Sequence, residues 1–268
     1  MIACEWMSYG KERGFLARPD GAASLPGIVV LQEAWGVDEH LEDVTRRFAA
    51  AGYVALAPDL FAEGGARPAA LERERMLELQ RFMNTVTPAQ RANLPGEIAR
   101  LPEPERTRVG ETFQAALLPI MTGQRKLDGY LPKLLAATHF LRAEHAVSRG
   151  RKIGSVGFCM GGGLSALLAC HDPELGAAVI FYGSAPPAEA IPNIACPVLG
   201  LYGALDERVN AGLPAFREAM ARADRRLETQ VYEGAQHAFF NDNRPSYHPD
   251  AARDAFVRTL ELFRRTLV

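Results

Sequence analysis

The chain has 268 residues, 48% hydrophobic and 23% charged, which is ordinary for a globular protein and long enough for one large buried core. A net charge of −2, with acids and bases interspersed, gives no sign of a nucleic-acid-binding stripe or of a patch for anionic membranes. No apolar run approaches the roughly 20 residues of a membrane-spanning helix, residues 1–10 carry Glu5 and lack an apolar signal core, and Cys4, Cys159, Cys170 and Cys196 are too widely spaced for a zinc site or a disulfide framework, so a cytoplasmic protein with free thiols and no metal is expected.

Residues 3–8 and 14–17 read as short strands around the turn Tyr9-Gly10-Lys11-Glu12, and residues 19–26 as a loop. Residues 27–31 are a continuous apolar, β-branched run, as in a strand buried on both faces. It ends in Gln32-Glu33-Ala34-Trp35-Gly36. Leu41, Val44, Phe48 and Ala51 then recur at helical spacing over residues 40–51, with Gly52 as the stop. The next buried strand, 53–57, ends in Pro58-Asp59-Leu60-Phe61. Strand, helix and strand with short joins predict a right-handed parallel crossover.

Residues 62–125 break that rhythm. They hold helical pieces at 69–83, 88–101 and 103–121 and no convincing strand, so they read as a helical insertion that forms a lid, a pocket wall or a packed surface elaboration. Residues 126–146 read as one long amphipathic helix punctuated by Gly129 and Pro132. Further strands are expected at 152–158, 176–182, 197–202 and 227–232, and helices at 212–223 and 250–267. The last helix should turn Ala251, Ala255, Phe256, Leu260 and Phe263 to the core. The alternation predicts one doubly wound α/β domain over residues 1–268, with a mostly parallel sheet and the insertion at about 62–125.

The chemistry concentrates at residues 153–163, where a short apolar run leads into Gly157-Phe158-Cys159-Met160-Gly161 and a helix-like run follows. Strand, tight turn and helix are the context of a nucleophile elbow. The turn strains its central residue, so the flanking positions must be small. The side chain then clears the sheet edge at a helix N-terminus, whose partial positive charge favours a thiolate. The same letters also fit a buried cysteine beside a glycine-rich turn. A phosphate loop is disfavoured, because neither Gly-x-Gly-x-x-Gly nor Gly-Lys-Ser/Thr occurs.

In such sheets catalytic groups gather at the carboxyl ends of the strands. Glu33, Cys159, Asp206 and His237 stand there, in the chain order nucleophile, acid, histidine. Cys159 would attack a carbonyl, His237 would take and return the proton, and Asp206 would fix the imidazole tautomer. The Met160 and Ala34 backbone amides are the candidate oxyanion hole. Alternatives remain for single members. Asp206 could simply cap a helix and Glu33 could do the same. His248 is a rival histidine, and Asp172 and Asp224 are rival acids.

At five blocks the chain resembles the dienelactone hydrolase (carboxymethylenebutenolidase) family of the α/β-hydrolase fold. They are Gln32-Glu33-Ala34-Trp35-Gly36, Ala57-Pro58-Asp59-Leu60-Phe61, Gly157-Phe158-Cys159-Met160-Gly161-Gly162, Tyr182-Gly183 with Leu205-Asp206, and Gly234-Ala235-Gln236-His237-Ala238-Phe239. The resemblance implies a Cys159–His237–Asp206 triad and a supporting role for Glu33, which in the family contacts the nucleophilic cysteine and helps control its ionisation. It implies hydrolysis of a small-molecule lactone or activated ester, typically an enol-lactone, through a thioester and without metal or cofactor. Trp35, Tyr182, Asn241 and Arg244 are the substrate contacts it suggests. Two departures stand out. Asn241 occupies the position, four residues after the histidine, where well-known members carry a carboxylate-binding arginine, with Arg244 the available substitute. The segment 62–125, with Arg67, Arg73, Arg75 and Arg81, replaces a shorter region. A thiol acyltransferase or peptidase, or a non-catalytic redox-sensing protein on the same scaffold, are the other expectations.

Overall fold

A computed structural model describes residues 1–87, 89–122 and 126–268. Among these, eight strands form one sheet: β1 (Ile2–Tyr9), β2 (Glu12–Pro19), β3 (Gly27–Leu31), β4 (Val54–Pro58), β5 (Ile153–Phe158), β6 (Leu175–Phe181), β7 (Val198–Gly203) and β8 (Leu227–Tyr232). Their spatial order is β1-β2-β4-β3-β5-β6-β7-β8. β1 and β2 form an antiparallel hairpin turned at Gly10 (φ +58), and β2 runs antiparallel to β4. From β4 through β3 to β8 every pairing is parallel. Each parallel join needs a crossover, and helices supply it.

The helices are α1 (Glu39–Ala50), α2 (Arg73–Thr85), α3 (Leu94–Ala99), α4 (Glu105–Ala116), α5 (Leu118–Met121), α6 (Leu131–His139), α7 (Met160–His171), α8 (Glu207–Asn210), α9 (Leu213–Arg222) and α10 (Pro249–Leu267). The alternating side chains of each strand serve two cores, one per face. Val29 and Leu31 pack with Leu134 of α6, Leu164 and Leu168 of α7, and Phe216 of α9. Ile28 and Val30 pack with Leu41, Val44 and Phe48 of α1 and Phe263 of α10. Burying a side chain such as Phe48 or Leu41, each within 1% of full burial, stabilises by about 1.5–3 kcal/mol. Helices on both faces of a mostly parallel sheet make the architecture doubly wound, as expected. In α10, Phe256 and Leu260 are partly buried and pack against the second core.

The helical segment after β4 has a third core of its own, built from Leu71, Met76, Leu79, Leu94, Ile98, Val109, Phe113 and Leu117. Trp35 and Phe61, from the ends of β3 and β4, belong to that cluster and join it to the sheet. The helices there are shorter than the periodicity suggests, and proline is the reason. Pro95 and Pro119 sit in the first turns of α3 and α5, where a missing N–H is tolerated. Pro88 and Arg125, expected ends of a helix and of the insertion, lie outside the described residues.

The single helix expected at 126–146 is a correction. It consists of a 3₁₀ turn (Leu127–Tyr130), then α6, then a π-helical turn (Phe140–Glu144). Pro132 opens α6 instead of lying inside a longer helix. Among the described residues no helix is long and apolar enough to cross a membrane.

Candidate active site

Cys159 stands between β5 and α7 with φ 55 and ψ −114, a conformation costly for a residue with a Cβ. Its glycines have specific reasons. A Cβ on Gly157 would overlap the Gly161 carbonyl, and one on Gly161 would overlap the Leu31 carbonyl oxygen. A Cβ on Gly162 would come within 2.8 Å of the Phe181 carbonyl oxygen. The first turn of α7 is thereby pressed between the ends of β3 and β6, and Cys159 is left at the helix mouth, partly exposed. The other thiols differ. Burial pushes Cys170 up to about 11 and Cys196 up to about 12, so both stay protonated near neutral pH. Cys4 is exposed on β1.

Asp206 and His237 come from the loops after β7 and β8. The His237 Nδ1 lies 2.5 Å from Asp206 Oδ2. Asp206 occupies the N-cap position of α8 but caps nothing with its side chain, because its carboxylate is given to the histidine. Burial opposes a charge on His237, yet hydrogen bonds to Asp206 and to Cys159, with their charges, raise it from 6.5 to about 10. Cysteine, imidazole and carboxylate are therefore brought together in one chain of contacts. The rivals are used elsewhere. His248 caps α10, accepting from the Ala251 amide at 3.3 Å, and Asp172 binds Arg142 at 2.8 Å. Asp224 sits with φ 54 in the turn after α9.

Glu33, at 5% exposure, is held from two sides. Tyr182 Oη donates to its Oε1 at 3.2 Å, and Asn241 Nδ2 donates to its Oε2 at 3.1 Å. Burial raises the Tyr182 phenol well above its usual value, and the charges of Glu33 and Cys159 add to the effect. The hydroxyl is thus a fixed donor. Tyr182 and Asn241 are fully buried, and their polar ends are directed at Glu33. Tyr182 (φ 39) and Ala238 (φ 62) share the strained backbone of Cys159.

Ala34 lies in the turn after β3. Among the described residues, neither its amide nor that of Met160 donates a hydrogen bond. The contact between Gly161 and the carbonyls of Leu31 and Gln32 puts the start of α7 beside this turn. Trp35 is nearly buried, and the Arg244 guanidinium sits over its ring at 4.7 Å from the centroid. Arg244 also donates to Asn84 Oδ1 of α2 at 2.9 Å, and it forms no ion pair among the described residues.

The insertion arginines named from the sequence have structural partners. Arg73 binds Glu42 at 2.7 Å, Arg75 binds Glu111 at 2.8 Å, and Arg67 binds Asp59. Arg81 is exposed on α2. Two pairings were not foreseen. One is the buried Asp59–Arg67 pair. The other is Asp242, which holds His40 Nδ1 at 3.1 Å and Arg47 at 2.5 Å and so ties the loop that carries His237 to α1. The sequence offered for these only the place of Asp59 in a resembling block and of Asp242 beside Asn241. Among the described residues no cluster of His, Cys, Asp and Glu is suited to a metal.

Comparison with known proteins gives a consistent picture. The model of the dienelactone hydrolase family matches residues 13–267. A protein of Saccharolobus solfataricus named "Putative carboxymethylenebutenolidase" is 34% identical over 262 residues, covering 95% of this chain and 94% of its own. A Bradyrhizobium protein named "Probable 2-oxo-3-(5-oxofuran-2-ylidene)propanoate lactonase" is 27% identical over 279 residues, covering 98% and 94%. A crystal structure from Klebsiella pneumoniae, described as a "Putative Dienelactone Hydrolase", aligns with 99% of both chains at a TM-score of 0.73 and 28% identity. The family match across nearly the whole length, joined to this sheet and its helices, means that the chain belongs to the dienelactone hydrolase family and has the α/β-hydrolase fold.

Proposed function

We propose that the chain hydrolyses small-molecule lactones or activated esters with Cys159, His237 and Asp206, on one domain spanning residues 1–268. The observation that carries this reading is the hydrogen-bonded run from Asp206 through His237 to Cys159 at the carboxyl end of the sheet.

The Cys159 sulfur attacks the acyl carbon as thiolate, with His237 as the imidazolium. The carbonyl π electrons move to oxygen, and the oxyanion sits on the free Ala34 and Met160 amides. Collapse expels the alkoxide or enolate, which takes the proton from His237 and leaves a thioester on Cys159. In a lactone the leaving oxygen stays tethered to the acyl group. Water then attacks the thioester while His237 accepts its proton, and release of the carboxylic acid restores the thiolate and the imidazolium. Asp206 holds the Nδ1 side of the ring so that Nε2 faces the sulfur. A thiolate attacks well and also leaves well. Esters with a good leaving group, such as enol-lactones, therefore suit it better than amides.

Arg244 supports an anionic substrate. It is a half-buried cation in contact with Asn84 and Trp35 and near the Asp38 charge, and a substrate carboxylate would give it a direct ion-pair partner. Glu33, held by Tyr182 and Asn241, shares Tyr182 as a neighbour with Cys159, and its charge would bear on the nucleophile across that phenol.

Turnover of an aryl ester or an enol-lactone by the wild type, Cys159→Ala and His237→Ala tests the mechanism. Both variants should lose at least about a thousandfold in kcat. Full activity in Cys159→Ala rules it out.

A further inference from the structure

The turn carrying Ala34 and Trp35 has a charged support beneath it. Arg67, from the stretch just before α2, directs Nε at both oxygens of Asp59, at 2.9 and 2.8 Å. The pair is buried, with side-chain exposures of 9% for Arg67 and 1% for Asp59. One terminal nitrogen of Arg67 donates to the Val37 carbonyl at 3.4 Å and the other to the Leu71 carbonyl at 3.4 Å. Above it lies Gly36, with φ +82. A Cβ there would meet the guanidinium at 3.0–3.2 Å. Asp59 is itself fixed to the sheet, since it follows β4 and its amide donates to the Arg13 carbonyl of β2 at 2.9 Å.

A desolvated ion pair is a weak source of net stability. Its value here is geometric. A planar, forked cation is fixed by a carboxylate on one edge, packs against Gly36 and bonds to Val37, so it sets the height of the Gln32–Val37 turn above the sheet. Lysine cannot reproduce that shape.

We infer that Arg67 is a positioning residue for the oxyanion hole: through Gly36 and Val37 it holds the Ala34 amide in line with the Met160 amide. This rests on the oxyanion role proposed above for those two amides. Arg67 touches no substrate. Its effect should therefore appear where negative charge builds on the carbonyl oxygen and not in ground-state binding.

The test compares an aryl ester with its thiono analogue, in which C=S replaces C=O. Sulfur is a poor hydrogen-bond acceptor, so an oxyanion hole favours the oxo ester. The expected result for Arg67→Lys is a fall in kcat of about 10- to 100-fold with KM within about threefold, and a fall in the oxo-to-thiono rate ratio by the same factor. Gly36→Ala, which displaces the same turn and keeps the ion pair, should behave likewise. Arg73→Gln, which breaks only the contact with Glu42, should keep the wild-type ratio. The ratio is internal to each sample, so a partly unfolded preparation does not alter it. Alkylation of Cys159 by iodoacetamide needs no oxyanion hole and should stay within about twofold of wild type.

An Arg67→Lys enzyme with an unchanged ratio overturns the inference, as does one whose alkylation falls together with kcat. If the wild type itself has no preference for the oxo ester, the oxyanion reading fails first and the inference falls with it.

Discussion

Replacing Asn241 by leucine tests how Glu33 is held. The side chain is nearly isosteric but removes two bonds: Nδ2 to the Glu33 carboxylate at 3.1 Å, and the Asn243 amide to Oδ1 at 3.1 Å. A hydrogen bond to a charged group contributes about 1.5–3 kcal/mol and a neutral one about 1 kcal/mol. Asn241 is fully buried and Glu33 nearly so, so no water replaces the lost donor. The expected loss is about 2.5–4 kcal/mol, read from urea unfolding at pH 8. Part of it belongs to the Glu33–Asn241 pair alone. A double-mutant cycle with Glu33→Gln should return a coupling of about 1.5–3 kcal/mol. The kcat for an aryl ester should fall in Asn241→Leu while Cys159 remains alkylable, because Asn241 bonds to Glu33 and not to the sulfur. A loss below about 1 kcal/mol with no coupling would refute the reasoning, since Glu33 would then be held by something other than this bond.

Two further outcomes follow from the charges at the site. His237 binds its proton more tightly when folded, at about 10 against 6.5. Its contribution to stability is therefore full below pH 6.5 and is lost as pH rises through about 10. The difference in urea midpoint between wild type and His237→Gln should shrink steadily over that window, and a difference that grows would contradict the assignment. Removing the cation in Arg244→Gln should raise KM for an aryl ester bearing a carboxylate by about tenfold and leave a neutral ester within about twofold. Equal changes for both esters would remove Arg244 from substrate binding.

Much of this site was legible because its local chemistry is strict. Gly157 and Gly161 admit no side chain at the elbow, so the motif around Cys159 could be read from the letters alone. Asp206 and His237 stood out because each lies in the loop behind a strand, Asp206 behind an apolar one and His237 behind the alternating last one, and strand ends are where this architecture places chemistry. The helix at 126–146 was misjudged because periodicity persists across Pro132 although hydrogen bonding does not. The supports were illegible for a different reason. Asn241 and Glu33 are 208 positions apart, and His40 and Asp242 are 202 apart. Such partners are chosen by the path of a loop over a folded sheet, which no spacing rule encodes. Asp59 and Arg67 are only eight apart, yet their bond depends on a turn at Gly64 and Gly65, both with positive φ, that could have closed in several ways.

The left-handed backbones of Cys159, Tyr182 and Ala238 set a boundary on improving this scaffold. At about 1–3 kcal/mol each, they hold a sum comparable to a sizeable share of a typical domain's margin of 5–15 kcal/mol. An engineer seeking heat resistance would look first at such positions. Here each one is a member or a neighbour of the proposed triad, so hardening the enzyme has to begin elsewhere: at its surface helices and its exposed first strand, where rigidity and turnover do not compete.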